Sequence, residues 1–145
     1  MKRFLLNHSE LNERNTDIEL KLLTNENEIK KCINLFNSEI IWDNMFNLEI
    51  ALERIKSGEL MFAGYKKNII FCYCWLKKIN IGEYYLYNVF SKKTNTLRKI
   101  SVIDLLYKVI KYYTDGKIFV EIDSWNTQSQ KVAKKLGFNE IEDHV

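Results

Sequence analysis

Four cations, Lys92, Lys93, Arg98 and Lys99, crowd the stretch SKKTNTLRKISVIDLL, just ahead of a segment whose apolar residues recur at helical spacing from about Ser101 to Tyr113. A helix N-terminus carries roughly half a positive charge, so cations gathered there oppose its dipole. A phosphate would reconcile them, because the first N–H groups of a helix are unpaired and bind anions. The same stretch also reads as a solvated turn in a lysine-rich chain. Ser101 and Asp104 have close to capping-box spacing, which would satisfy part of that helix end from within. Asp104, in the expected first turn, would also put a negative charge near any phosphate.

The cysteines point away from metal or disulfide chemistry. Cys72 and Cys74 alternate in IIFCYCWL and so share one face of a strand. Cys32 makes the number odd, and the only histidines, His8 and His144, lie near the termini. Reduced core thiols without a metal, in a cytoplasmic protein, are the expectation. A formal charge of +3 is too small for the usual nucleic-acid footprint, and no apolar run is long enough to span a membrane. The short apolar run in MKRFLLNHSELNER is also too short for a signal-peptide core. The chain of 145 residues, 46% hydrophobic and 28% charged, fits one globular domain over 1–145, with 1–16 as a polar lead-in.

Periodicity then gives the elements that must hold these residues. DIELKLLT (17–24) alternates as a strand, and TNENEIKKCINLFNSEI carries Ile29, Cys32, Ile33 and Phe36 at helical spacing behind a Thr24 or Asn25 cap. NLEIALERIKSGE (47–59) repeats the helical pattern and stops at Gly58. LMFAGYKKNIIFCYCWLKK reads as a hairpin turning at Lys66–Asn68, followed by an aromatic strand at 82–90. In the helix from Ser101, Val102, Leu106, Val109 or Ile110, and Tyr113 are expected inward, with Lys108 and Lys111 in solvent. A strand at 116–123, a short helix at 126–138 ending at Gly137 and a last edge strand complete the order. Strand–helix–strand passage from 83 to 122 requires a parallel pair. The expected fold class is α/β: a mixed, mostly antiparallel sheet with one parallel crossover and helices on both faces.

VEIDSWNTQSQKVAKKLGF resembles the C-terminal signature of the GNAT acyltransferase superfamily. In that signature a strand with an apolar end leads to an Asn, a small residue three later, and a helix closing in Lys-Leu-Gly-Phe. Here these are Ile122, Asn126, Ser129 and Lys135-Leu136-Gly137-Phe138. The element order matches the superfamily from Asp17 onward, and Ser129 brings the chain nearest the ribosomal-protein N-terminal acetyltransferase branch. Taken alone, the same tail is a capped helix with an ordinary glycine ending.

The resemblance implies an N-acyltransferase that moves an acetyl group from acetyl-CoA to a primary amine by direct attack. It implies a thioester carbonyl polarised at the Val89–Phe90 strand end, and cofactor contacts from Arg98, Lys99, Ser101, Val102, Asn126 and Ser129. Arg98 takes the first position of the family's pyrophosphate motif, but Ser101 and Ile103 stand where its glycines belong. A Cβ there holds a phosphate off the backbone, and Ile103 is stiff as well. The family's common tyrosine acid corresponds to Ala133. Glu83 and Asp123 are candidate bases expected at the splay of their strands, and Tyr87, with Tyr85, is a candidate relay. The degenerate motif keeps a second class open, a catalytically silent module that binds acyl-CoA or a partner. A small nucleic-acid binder using the basic turn is a third. The short C-terminus suggests a homodimer in which a second copy supplies part of the acceptor wall.

Overall fold

The computed structural model describes residues 1–37, 47–91 and 98–142. In chain order the elements are β1 (Lys2–Asn7), a 3-10 turn (His8–Glu10), β2 (Glu19–Leu22), α1 (Glu26–Asn37) and α2 (Leu48–Lys56). There follow β3 (Leu60–Lys66), β4 (Ile69–Asn80), β5 (Glu83–Ser91), α3 (Arg98–Tyr113), β6 (Lys117–Ile122), α4 (Thr127–Leu136) and β7 (Asn139–Ile141). The described strands form one seven-stranded sheet in the order β2-β3-β4-β5-β6-β1-β7. Every neighbouring pair is antiparallel except β5 with β6. That is the mixed sheet and single parallel crossover expected from the sequence.

Alternation on the strands decides which helix covers which face. Phe62, Cys72, Cys74, Leu76, Leu86 and Ile118 point to one side and pack with Ile103, Leu105, Leu106, Val109 and Ile110 of α3 and with Ala133 and Leu136 of α4. Met61, Ala63, Tyr73 and Trp75 point to the other and pack with Ile29, Cys32 and Ile33 of α1 and Ala51 of α2. Trp75 and Tyr73, buried at 0% and 1% exposure, anchor this second cluster.

The turns follow from local chemistry. Lys67 and Asn68 both adopt positive φ, 50° and 66°, the pair a two-residue hairpin requires. Asn25 accepts the Asn27 N–H through its Oδ1 at 2.8 Å, at the start of α1. Gly116 has φ +77° and packs on the Gly82 carbonyl so closely that a Cβ would collide with it, which locks the two loops at the closed end of β5 and β6.

Three sequence expectations are corrected. Residues 2–7, assigned to a polar lead-in, are an interior strand between β6 and β7, with Phe4 and Leu6 fully buried. The α3 helix begins at Arg98 rather than Ser101, so Asp104 is in its second turn and no acidic residue occupies the first. On α3, Lys111 faces solvent as expected, but Lys108 is half-buried and donates to the Ile18 carbonyl, and Tyr113, expected inward, is exposed.

Candidate functional site

β5 and β6 hold their parallel register only at Glu83–Lys117, Tyr84–Ile118 and Tyr85–Phe119. Beyond Tyr85 they part. On the other edge of β5, Tyr73 opposes Phe90 while Trp75 opposes Tyr87, so the extra residue of a bulge lies between. Asn88 there has φ +47°, a left-handed conformation that asparagine tolerates better than most residues. A bulge bends its strand and leaves one residue out of the ladder. Here the bend accompanies the opening of a cleft of about 790 Å³ between the strand ends. Val120 and Ile122 of β6, Val132 and Ala133 of α4, and Val102 and Leu106 of α3 give it an apolar wall.

The turn from β6 into α4 is held by side chains. Asn126 caps α4, its Oδ1 accepting from the Ser129 N–H at 3.1 Å, while its own N–H donates to the Asp123 carbonyl at 2.9 Å. Gln130, only 7% exposed, donates through Nε2 to the Asp123 and Ser124 carbonyls, both at 3.1 Å. Sequence reasoning passed over Gln130. The available signal was its place on the inward stripe of α4, one turn before Ala133. At the far end Gly137 takes φ +114°, and the Phe138 N–H returns to the Ala133 carbonyl at 3.0 Å.

Most of the residues singled out from the sequence converge on this cleft: Tyr87, Val89, Phe90, Val102, Asp123, Asn126 and Ser129 all line it. Glu83 is a correction. It stands opposite Lys117 at the closed end of the strand pair, because the splay begins only after Tyr85. Arg98, Lys99 and Ser101 belong to the first turn of α3, but their side chains, like the whole of Lys92 and Lys93, lie outside the described residues. Ile103 and Asp104, in the second turn of α3, point inward, at 5% and 3% exposure. Ile103 packs in the core and also borders a small pocket with Gln128, Lys131, Val132 and Lys135, and Asp104 accepts from Arg14 Nε at 2.8 Å.

Tyr87 and Asn88, which line the cleft, are held from behind by a group that sequence reasoning missed. Arg54 of α2 lies 5.0 Å from the ring centroids of both Trp75 and Tyr87. With its amide oxygen turned to the guanidinium, Asn88 accepts from Arg54 Nη1 and Nη2 at 2.9 and 3.1 Å. Tyr87 donates its hydroxyl to Glu59, and its ring stacks on Tyr85 at 5.2 Å. Burial, and then the Glu59 carboxylate, push the Tyr87 phenol well above the usual tyrosine range. Tyr85 is raised too, by burial and by Glu121. Among the described residues no set of three His, Cys, Asp or Glu is arranged to hold a metal, and no helix is long and apolar enough to cross a membrane.

Several solved structures share the overall fold of this chain. An aminoglycoside 6'-N-acetyltransferase from Acinetobacter baumannii superposes with TM-score 0.63, at 13% identity over 88% of this chain and 95% of its own. A ribosomal-protein-alanine N-acetyltransferase from Brucella melitensis gives 0.62 at 13% identity, covering 86% of each chain. The fold is that of the GNAT acetyltransferases. A predicted acetyltransferase of Clostridium acetobutylicum, solved with acetyl-CoA, gives 0.58 at 10% identity over 88% of this chain and 94% of that one. Other matches are longer: the chain spans 57% of a conserved protein of unknown function from Staphylococcus epidermidis and 53% of a GCN5-related N-acetyltransferase from Kribbella flavida. No family model and no curated protein matches the sequence. The likeness to GNAT proteins is therefore one of fold.

Proposed function

We propose that the chain is an acyl-CoA-dependent N-acyltransferase that moves an acetyl or related acyl group to a primary amine. The observation that carries this reading is the bulge-opened cleft between β5 and β6, with seven of the expected site residues on its walls. The cleft suits a pantetheine arm, since Val102, Leu106, Val120, Ile122 and Val132 give it apolar walls and Ala133 leaves space where the family has a tyrosine. Acetyl-CoA would supply the activated thioester. The N–H groups freed around Asn88 and Val89 would polarise its carbonyl, and Arg98 and Lys99 would meet its phosphates with the first turn of α3. Asn126 and Ser129 would guide the arm past the α4 cap. A cytoplasmic setting suits the three free, buried cysteines.

Direct attack by a neutral amine on the thioester needs no covalent enzyme intermediate. Carbon–nitrogen bond formation expels the CoA thiolate, which takes one proton from the nitrogen; an acceptor that arrives as an ammonium ion must lose another proton before it attacks. Asp123 at the mouth is within the cleft and exposed to water, so it can release a proton to solvent.

A silent acyl-CoA-binding module is the second reading, favoured by Ala133 in place of an acid and by the loop without glycine. Calorimetric titration with acetyl-CoA and CoA separates the cases. The expected result is micromolar binding that Arg98→Ala weakens, with a shallower salt dependence and little change in thermal midpoint. Binding without transfer to any amine would favour the silent module. No heat and no thermal shift with either ligand would overturn both.

A further inference from the structure

The acceptor amine would reach the cleft charged, because an alkylammonium ion holds its proton at neutral pH and a protonated nitrogen cannot attack. Something on the acceptor side must take that proton. Glu83 stands at the closed end of the strands, and Asp123 lies on the β6–α4 side. Tyr87 lines the cleft, and its hydroxyl is already bonded to a carboxylate.

We propose that Glu59 is the proton acceptor for the incoming ammonium, acting through the hydroxyl of Tyr87. This rests on the acyltransferase reading and deepens it. Four observations support it. Tyr87 lines the cleft beside the bulge, next to Asn88 and Val89, where the thioester would be polarised. Its hydroxyl donates to Glu59, which fixes the direction in which a proton can move. Glu59 is only half-buried, so it can return the proton to water. The geometry is also braced: the Glu59 N–H donates to the Arg54 carbonyl at 3.0 Å, and the Arg54 guanidinium covers the Tyr87 ring and is held by Asn88.

The bulge itself helps build this group. Regular alternation would send Asn88 to the face opposite Tyr87. The inserted residue instead lets both meet Arg54 on one side. Tyr87 remains a neutral phenol over the working pH range, since burial and Glu59 both disfavour its phenolate. It therefore passes a proton on rather than storing one. The ammonium gives a proton to Tyr87 Oη as Tyr87 gives its own to Glu59 Oε1. The neutral nitrogen then attacks the thioester carbon, the carbon–sulfur bond breaks, and the thiolate takes the second nitrogen proton. Glu59 releases the first to solvent.

The test compares two nucleophiles on the full chain with acetyl-CoA, following free thiol at about pH 7.5. One is a pool of alkylammonium acceptors: kanamycin, lysine, spermidine and a peptide beginning with alanine. The other is hydroxylamine, which is already neutral and needs no such base. Glu59→Gln and Tyr87→Phe preserve size and shape. Each is expected to lower kcat with the best alkylammonium acceptor by about 10²–10⁴-fold, the usual contribution of general-base catalysis. The rate with hydroxylamine should fall far less, so the ratio of the two rates drops. A fall of both rates together would mean a structural role and overturn the relay. So would an unchanged kcat in Glu59→Gln. No transfer by the parent chain to either nucleophile would overturn the acyltransferase reading, and the relay with it.

Discussion

Asp104 is the most constrained single charge in the described residues: 3% exposed, on the inner face of α3, with Arg14 Nε 2.8 Å from its carboxylate. Arg14 comes from the segment before β2 and pins it across the helix. Removing one partner of a buried pair leaves an uncompensated charge, at about 3–5 kcal/mol, whereas replacing both with apolar residues is often neutral. Because Arg14 keeps 31% of its side chain exposed, Arg14→Met should fall near the lower end of that range. Urea denaturation would measure it, and Arg14→Met/Asp104→Leu should recover much of the loss. A single substitution within 0.5 kcal/mol of the parent (roughly the ordinary surface effect) would show that the pair does not hold the segment. The identity of this pair was not legible in the sequence, where the two residues lie 90 positions apart and Asp104 reads as a first-turn capping charge. The same holds for Arg54 and Glu59, whose partners Trp75, Tyr87 and Asn88 arrive only with the sheet. Asn126 was legible because a cap bonds within its own turn.

Elements with a local signature were read closely and those without one were not. The Lys67–Asn68 turn, the α4 cap and the parallel crossover all follow from neighbouring residues or connection length. β1 escaped because Phe4, Leu5 and Leu6 run together, which blurs alternation, and because its partners β6 and β7 lie more than a hundred residues away. The bulge at Asn88 escaped because no glycine marks it. The α3 start was displaced because Arg98 and Lys99 read as turn residues, and that shift changed the meaning of Ile103. As the sixth residue of α3 and 5% exposed, Ile103 is part of the helix–sheet packing. Ile103→Ala is accordingly expected to cost about 2–5 kcal/mol through the cavity it leaves. Ile103→Gly should cost about 1 kcal/mol more through helix propensity. Thermal unfolding of both variants checks this, and a shift too small to measure would put Ile103 at the surface.

At the scale of the molecule, burial of the three cysteines ties stability to alkaline pH. Burial pushes the Cys32 thiol up to about 12, and those of Cys72 and Cys74 higher, from an ordinary value of 9.0. Between those values the folded chain keeps protons that the unfolded chain has lost. The associated stability is therefore complete below pH 9.0 and declines as pH rises toward the folded values. Each thiol contributes a slope of roughly 1.4 kcal/mol per pH unit, so three give about 4. Tyr87, whose phenol is raised by burial and Glu59, steepens the decline above its ordinary value of 10.0. Domain stabilities of about 5–15 kcal/mol would then be exhausted roughly one to four pH units above the thiol value. The urea midpoint should hold steady up to about pH 8.5 and drop steeply by about pH 10.5, with thiol reactivity towards a disulfide reagent appearing only as unfolding begins. A flat midpoint across that interval, or thiols that react in the native state near neutrality, would place the cysteines outside the core. That would undo the packing of both faces of the sheet, because Cys72 and Cys74 sit under α3 while Cys32 sits under Trp75 and Tyr73 on the other side.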